Sequence, residues 1–180
     1  MARECISTRR LDPGAGVLHL SALFAALFAA ILFSSDPSLA RAPATSPLIG
    51  AWTVEVSRLP MPPAARPRQV MLRFTDSGAG QWTVEVEITA ADGRDRKSTL
   101  TATADGSKSP VKGDTLEADT AALQMPRPDV MVLVLSRQGL PGSTRIYTVA
   151  ADGKSMVETA TYFDKDGAPV LRTNYFARAE

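Results

Sequence analysis

One stretch of alternating apolar and polar residues constrains the fold of this chain more than any other feature. Residues 50–58 read Gly-Ala-Trp-Thr-Val-Glu-Val-Ser-Arg, and residues 80–88 repeat the pattern as Gly-Gln-Trp-Thr-Val-Glu-Val-Glu-Ile. Side chains alternate between the two faces of a β-strand, so Trp52, Val54 and Val56 lie on one face and polar residues on the other. The pattern predicts half-buried strands of an antiparallel sheet.

The same alternation recurs along most of the chain after residue 69. Four Asp-Gly pairs, at residues 92–93, 105–106, 152–153 and 166–167, separate strand-like segments. Asp-Gly favours the tight turns of β-hairpins because glycine adopts a positive φ without steric cost. We therefore predict an all-β fold, a single antiparallel up-and-down barrel of about 8–10 strands.

Three segments interrupt this pattern. Residues 59–67 contain four prolines, and we expect a stiff surface loop there because proline fits neither a helix nor a central strand. Residues 109–113, Ser-Pro-Val-Lys-Gly, are interpreted as a bend. Residues 130–135 are six consecutive apolar residues, which predicts a strand covered on both faces, by the core and by the preceding leader or a neighbouring chain.

The N-terminal part of the chain is interpreted as an export signal. Arg9 and Arg10 precede an apolar run over residues 17–33, and a small-x-small pattern follows at residues 40–42. We expect a signal helix over residues 1–42 that is cleaved after Ala42, and a periplasmic or secreted protein. An uncleaved membrane anchor is the alternative, since 17 apolar residues are the lower limit for a spanning helix.

Cleavage would leave residues 43–48 as a disordered leader and residues 49–180 as a single barrel domain. The signal segment contains the only cysteine, Cys5, and the only histidine, His19. It also contains four of the 20 basic and three of the 19 acidic residues, which leaves 16 of each in the mature domain. A neutral domain has no positive electrostatic potential that would attract nucleic acid, so no nucleic-acid partner is expected.

The loss of histidine and cysteine also removes most kinds of catalytic site. The mature domain cannot build a Ser-His-Asp or Cys-His site, a thiol redox centre or a zinc site of the usual nitrogen and sulfur type. We expect no metal and no cofactor, and we predict that the protein is not an enzyme.

Two acidic groups remain as candidates for chemistry. Glu55, Glu85 and Glu87 are candidates for a paired-carboxylate site, but we interpret them as solvent-facing charges that discourage edge pairing. Asp164 and Asp166 are candidates for calcium ligands. We interpret this fragment as a plain turn because it lacks the other acidic positions of a calcium loop.

The start of the first strand resembles a known signature. Gly50-Ala51-Trp52 is similar to the Gly-x-Trp signature of lipocalins, which are small barrels that hold apolar ligands. This resemblance implies that Trp52 closes the barrel floor and that an arginine of the last strand packs on it. Arg172 is the first candidate for that arginine and Arg178 is the second.

Nearly the whole mature chain also resembles a widespread group of exported bacterial proteins without an established activity. That group shares the Gly-x-Trp start, a Pro-rich first loop and repeated Asp-Gly hairpins, as at residues 50–52, 60–67 and 152–153 here. The resemblance implies a lipocalin-like barrel and export, and it assigns no chemistry.

Aromatic residues on the predicted inner faces either line a cavity or fill the barrel as core, and the sequence leaves both readings open. The Pro-rich loop follows strand one, where lipocalins carry the loop over the open end of the barrel. Its prolines would keep such a lid preorganised. The candidate ligand-binding residues are Trp52, Met61, Phe74, Trp82, Tyr162 and Tyr175.

The leading hypothesis is non-catalytic binding of a small apolar or amphipathic molecule inside the barrel. The alternative is a structural or protein-interaction module of the cell envelope with a filled core, suggested by the apolar run at residues 130–135. Its partner would be an envelope protein, and the membrane would be contacted only through the signal segment during export.

Overall fold

The computed structural model of the chain describes residues 45–180, in which ten β-strands form one closed barrel. Each strand pairs antiparallel with its neighbours in sequence, and β1 closes the ring against β10. The prediction of an all-β up-and-down barrel is therefore confirmed. The strands are β1 (Gly50–Val54), β2 (Gln69–Gly78), β3 (Gln81–Thr89), β4 (Asp95–Thr103), β5 (Asp105–Gly113), β6 (Thr120–Arg127), β7 (Val130–Arg137), β8 (Leu140–Val149), β9 (Ser155–Phe163) and β10 (Pro169–Arg178).

The predicted signal peptide, residues 1–42, lies outside the described residues. Across residues 45–180 the helices are two short 3₁₀ turns, and none is long or apolar enough to cross a membrane.

Alternation places every second side chain inside the barrel. On β3, Trp82 and Val84 are buried, while Glu85 lies on the outer face beside Arg73 of β2 and Lys97 of β4, with N to O distances of 3.8 and 3.4 Å. Glu85 is thus part of a surface charge ladder. The largest buried side chains of the core are Leu48, Trp52, Phe74, Leu123, Met131, Met156 and Phe176.

Trp52 closes one end of the barrel, the floor. Its side chain has no solvent exposure, and its indole Nε1 donates a hydrogen bond to the carbonyl oxygen of Leu48 at 2.8 Å. The guanidinium carbon of Arg178 lies 4.2 Å from the Trp52 ring centroid. Arg178 also donates hydrogen bonds of 2.6 to 2.8 Å to the carbonyl oxygens of Pro47, Ile49 and Gly153.

The packing at the floor also explains why residue 50, two positions before Trp52, is a glycine. Gly50 has φ +124°, and a Cβ atom at this position would lie 2.8 Å from Nη1 of Arg178. A larger residue would be strained in its backbone and would displace the arginine. Gly50, Trp52 and Arg178 therefore form one unit.

This arrangement corrects two sequence-based expectations. The arginine on Trp52 is Arg178 rather than Arg172, because the closing register of β1 on β10 sets Trp52 opposite Arg178. Arg172 lies opposite Ala160, near the other end of β10. Residues 45–48 also do not form a disordered leader: Leu48 is fully buried in the core.

The Pro-rich segment lies at the opposite end of the barrel. Residues 55–68, hereafter the lid, contain the 3₁₀ helices Val56–Arg58 and Pro63–Ala65. The expectation that proline excludes helix here was wrong for these short turns, because the first turn of a helix needs no N–H donor. Nε of Arg66 donates to the carbonyl oxygen of Met61 at 3.1 Å, which folds the lid onto itself.

The two remaining irregular segments are both strands. Residues 109–113, expected to bend, lie in β5, where Pro110 pairs with Thr120. The run 130–135 lies in β7, as predicted, but its outer face is not covered along its whole length. Met131 and Leu133 are buried in the core, whereas Val134 on the outer face is 41% exposed.

The Asp-Gly turns are stabilised by their own carboxylates. Oδ1 of Asp152 accepts hydrogen bonds from the backbone N–H groups of Lys154 and Ser155 at 2.8 and 3.1 Å. These donors lower the pKa of Asp152. The pKa values of three further carboxyls are lowered too, chiefly by the backbone N–H of Arg94 for Asp92, by Ser107 for Asp105 and by the Arg96 side chain for Asp114.

These lowered pKa values predict a loss of stability in acid. A carboxylate whose pKa is lower in the folded state stabilises the protein above its unfolded pKa, here 3.8, and this contribution is lost as the pH falls through the folded pKa. We expect a constant Tm from neutral pH down to about 5 and a progressive fall below about 4. Thermal melts followed by circular dichroism across this pH range test the prediction. Asp152→Asn should weaken the dependence of the Tm on pH. A Tm that does not change below pH 4 would contradict the prediction.

Candidate ligand-binding cavity

A cavity of about 400 Å³ lies inside the barrel, between the floor and the lid. Its volume falls within the range of roughly 300–1,000 Å³ that small-molecule sites occupy. Most of the wall is apolar and comes from the inner faces of successive strands. It includes Val54, Leu72, Val84, Val86, Leu100, Val111 and Leu133, and the lid adds Leu59, Met61, Ala65 and Pro67.

One side of the wall is polar. Tyr147 of β8 lies directly opposite Glu158 of β9, which in turn lies opposite Asn174 of β10. Arg145 and Arg172 point into the cavity from the same strands, each two residues nearer the lid than Tyr147 or Asn174. Three adjacent strands therefore carry a continuous polar strip, and the rest of the lining is apolar apart from Arg96, Ser98, Asp114 and Glu117.

Glu158 is the centre of this strip. Its side chain is 2% exposed, and Oε1 accepts hydrogen bonds from Oη of Tyr147 at 2.9 Å and from Nη1 of Arg145 at 3.0 Å. Oε2 accepts a hydrogen bond of 2.6 Å from Nδ2 of Asn174. A buried carboxylate needs such partners to offset its lost hydration, and Glu158 has three.

The surroundings fix the protonation of the two main donors. Burial raises the pKa of Tyr147, and the negative charge of Glu158 raises it further, so the phenol keeps its proton. Burial alone would lower the pKa of Arg145, but Tyr147 and Glu158 outweigh burial and raise it. Arg145 also pairs with the Glu117 carboxylate at the rim. Tyr147 and Arg145 therefore both keep their protons and donate hydrogen bonds to Glu158.

The lining contains two further arginines, with different surroundings. Arg96 forms a two-point ion pair with Asp114. Arg172 is half-buried, and across residues 45–180 it has no ion pair and no side-chain hydrogen bond. The centroid of the Tyr162 ring lies 5.8 Å from the Arg172 guanidinium carbon.

The structure separates the six candidate ligand-binding residues. Met61 lines the cavity from the lid. Trp52 is the floor, and Phe74 is core that packs edge-on against Tyr147 at 5.4 Å between ring centroids. These two fill the barrel below the cavity instead of lining it.

The other three candidates lie outside the cavity wall. Trp82 is buried in the core and borders a shallow cleft near Ser46. Tyr162 lies beside Arg172 near the mouth. Tyr175 is corrected to the outer surface: Phe176 next to it points inwards, and the Arg58 guanidinium stacks on Tyr175 at 3.3 Å.

Sequence reasoning missed the polar strip. Arg145, Glu158 and Asn174 carry the most distinctive chemistry of the cavity, and none of the three was a candidate. Tyr147 was considered only as one of the aromatic residues that line a cavity or fill the core. A signal was present, because Glu158 falls between Met156 and Ala160 on the apolar face of β9. A charged residue at an inward position of an alternating strand predicts an internal partner.

The acidic candidates do not converge in the structure. Glu55 pairs with Arg58 at 3.3 Å on the surface, and Oδ1 of Asp164 accepts hydrogen bonds from the backbone N–H groups of Asp166 and Ala168. In the part of the chain that the structure describes, no three His, Cys, Asp or Glu side chains are grouped to hold a metal ion.

The fold is a closed antiparallel up-and-down barrel around an internal cavity, which is the architecture of lipocalin-like barrels. No protein-family model matches the sequence, and no curated protein matches it significantly. Among solved structures it is similar to wild-type fluorescent protein UnaG, with 15% identity over 73% of this chain and 96% of that chain, and a TM-score of 0.47.

Two other solved structures show the same kind of similarity. A redesigned β-barrel is 16% identical over 76% of this chain and 96% of its own, with a TM-score of 0.41. The siderocalin Ex-FABP, described as having dual ligand specificities, is 18% identical over 74% and 75% of the two chains, with a TM-score of 0.33. At these identities the similarity concerns the barrel alone.

Proposed function

We propose that this protein is an exported, non-catalytic barrel that binds a small apolar or amphipathic molecule in its internal cavity. The observation that supports this most directly is the cavity of about 400 Å³, which is walled by apolar side chains and covered by the lid. The proposal of export is supported by the N-terminal sequence pattern, and an exported protein would reside in the periplasm or outside the cell.

The cavity wall favours an amphipathic occupant over a purely apolar one. Apolar residues of β2 to β7 surround most of the space, whereas the polar strip occupies β8 to β10. A ligand with an apolar body and one polar end would bury its body without leaving the strip unsatisfied. The preformed lid lowers the ordering cost of closing over it.

A binding role also agrees with the state of the polar strip. A catalytic carboxylate has to be available to a substrate, but both oxygens of Glu158 accept hydrogen bonds from neighbouring side chains. Arg145 is occupied by two carboxylates. These groups position one another, and they leave no nucleophile or base facing the cavity among them.

Filling the cavity from its wall tests the proposal. Val86 of β3 lines the cavity, so Val86→Trp should occupy the ligand space, whereas Val134→Trp adds the same side chain to the exposed outer face. We expect the uncharged dye N-phenyl-1-naphthylamine to bind wild type and Val134→Trp alike and to bind Val86→Trp about tenfold or more weakly. Fluorescence titration measures this. Equal binding to all three proteins, or to none, would overturn the proposal.

A second candidate function is an interaction module of the cell envelope. Its support is the outer face of β7 and β8, where Val134 and Ile146 are 41% and 37% exposed. The cavity counts against the filled core that this alternative assumed. Cross-linking from position 134 in cells would recover an envelope protein under this alternative and no specific partner under the first proposal.

A further inference from the structure

Asn174 carries a hydrogen-bond acceptor that the protein does not use. Its Oδ1 atom is buried and has no hydrogen-bond partner among residues 45–180. Asn174 also lines the cavity. Leaving a buried acceptor unpaired is unfavourable, so native structures rarely do so without a reason.

The orientation of this amide is set by chemistry. Glu158 forms an ion pair with Arg145, and an ionised carboxylate only accepts hydrogen bonds. The Asn174 atom 2.6 Å from Oε2 of Glu158 must therefore be the NH₂ group, and the carbonyl oxygen must be the atom left over. The Glu158 carboxylate thus holds an unpaired, buried acceptor in a fixed position within a residue that lines the cavity.

Near Asn174, the guanidinium of Arg172 is a second polar group that has no ion pair and no side-chain hydrogen bond across residues 45–180. Three arginines and three carboxylates line the cavity, so its total charge is balanced. The pairing is unequal, however, because Arg145 contacts two of the carboxylates and Arg96 contacts the third. Arg172 is left without a carboxylate contact across the described chain, at a half-buried position where a cation gains from an anionic partner.

The two groups are neighbours on one face of β10. Residues two apart along a strand point the same way, with Cα atoms about 7 Å apart. Arg172 is the one nearer the lid. The Arg172 guanidinium carbon lies 5.8 Å from the Tyr162 ring centroid, and rotation about its side-chain bonds would bring the guanidinium towards a group that is bonded to Asn174.

We infer that the cavity binds an anionic amphiphile that carries a hydrogen-bond donor close to its anionic group. The donor bonds to Oδ1 of Asn174, the anion pairs with Arg172, and the apolar chain lies against the apolar wall of β2 to β7. This inference rests on the proposed function and narrows it to hydroxy acids and N-acylated amino acids as ligand classes.

Matched probes test the inference on the wild-type protein. We expect 3-hydroxydecanoate to bind about tenfold or more tightly than decanoate, which lacks the donor, and than methyl 3-hydroxydecanoate, which lacks the charge. Isothermal titration calorimetry measures the three affinities. Equal affinities for the hydroxylated and plain acids, or for the acid and its ester, would overturn the inference.

Variants assign each preference to its residue. Arg172→Met keeps the apolar stem, and it should abolish the preference for the acid over its ester. Asn174→Leu should abolish the preference for the hydroxyl group. Arg94→Gln, at an 84% exposed side chain in the β3–β4 turn, is the control and should change neither. A preference for the acid that survives Arg172→Met would place the anion elsewhere and contradict the inference.

Dye binding separates this inference from the proposed function. If N-phenyl-1-naphthylamine binds wild type but the matched probes show no preference, only the ligand class is wrong. If neither the dye nor any probe binds, the proposed function itself fails. If Asn174→Leu does not fold, the comparison of 3-hydroxydecanoate with decanoate on wild type still decides the role of the donor.

Discussion

Replacing Trp52 by alanine is expected to lower the free energy of unfolding by about 3–5 kcal/mol, as for other fully buried large side chains. The indole has no solvent exposure, and it donates a hydrogen bond to Leu48. Its loss would open the floor, leave the Leu48 carbonyl unpaired and remove the ring on which Arg178 lies. Urea denaturation followed by circular dichroism measures the change.

Two other variants serve as controls for this effect. Leu171→Ala alters a side chain that is 72% exposed, and it should change stability by no more than about 0.5 kcal/mol. Trp52→Phe should fall in between, since it retains an aromatic ring but loses the hydrogen bond. If Trp52→Ala costs no more than Leu171→Ala, Trp52 does not close the floor.

Replacing Glu158 by alanine should cost about 3–5 kcal/mol, the usual range when one partner of a buried ion pair is removed. Glu158 accepts hydrogen bonds from Arg145, Tyr147 and Asn174, and its removal leaves one buried and two partly buried donors without this acceptor. The Arg145 side chain is 24% exposed and keeps its ion pair with Glu117. We therefore expect a cost at the lower end of this range.

A double-mutant cycle isolates the ion pair. Arg145→Met in the Glu158→Ala background should recover part of the loss, because it removes the charge that has lost its buried partner. Glu117→Gln, at a side chain that is 53% exposed, should cost about 1 kcal/mol or less. Additive effects of the two central substitutions would show that Arg145 and Glu158 are not coupled.

The Glu158 cluster also bears on ligand choice. Because Glu158 bonds the NH₂ group of Asn174, it determines which end of that amide faces the ligand. Glu158→Ala should therefore weaken the hydroxyl preference as well as stability. The same side chain would thus contribute both to the fold and to the recognition of a donor.

The inner and outer faces of the strands could be predicted from the sequence. The alternation at residues 50–58 and 80–88 placed Trp52, Trp82 and Val84 inside the barrel, where the structure has them, although β1 ends at Val54 and residues 56–58 form a 3₁₀ helix. This inference succeeds because alternation is a local property: a side chain faces the core or the solvent according to its parity along the strand. The Asp-Gly pairs likewise predicted reversals of the chain, because glycine tolerates the φ of a turn.

Other features of the fold depend on which strands pair and in which register. Whether Arg172 or Arg178 covers Trp52 is decided by the register with which β10 closes on β1, and the two arginines have the same parity. Pro110 suggested a bend, but it lies in a strand because the β4–β5 and β5–β6 ladders are short or irregular around it. An irregular ladder tolerates a residue without an N–H donor.

The sequence by itself determined that this chain forms an all-β barrel with its tryptophans and aliphatic residues inside, since local periodicity and turn chemistry suffice for that. Only the tertiary structure decided that space remains above the floor, that Glu158 is buried among three donors and that Asn174 and Arg172 keep unused groups at the cavity wall. The reason is physical: a void and a buried hydrogen bond depend on distances between strands far apart in sequence, and no local pattern records those distances.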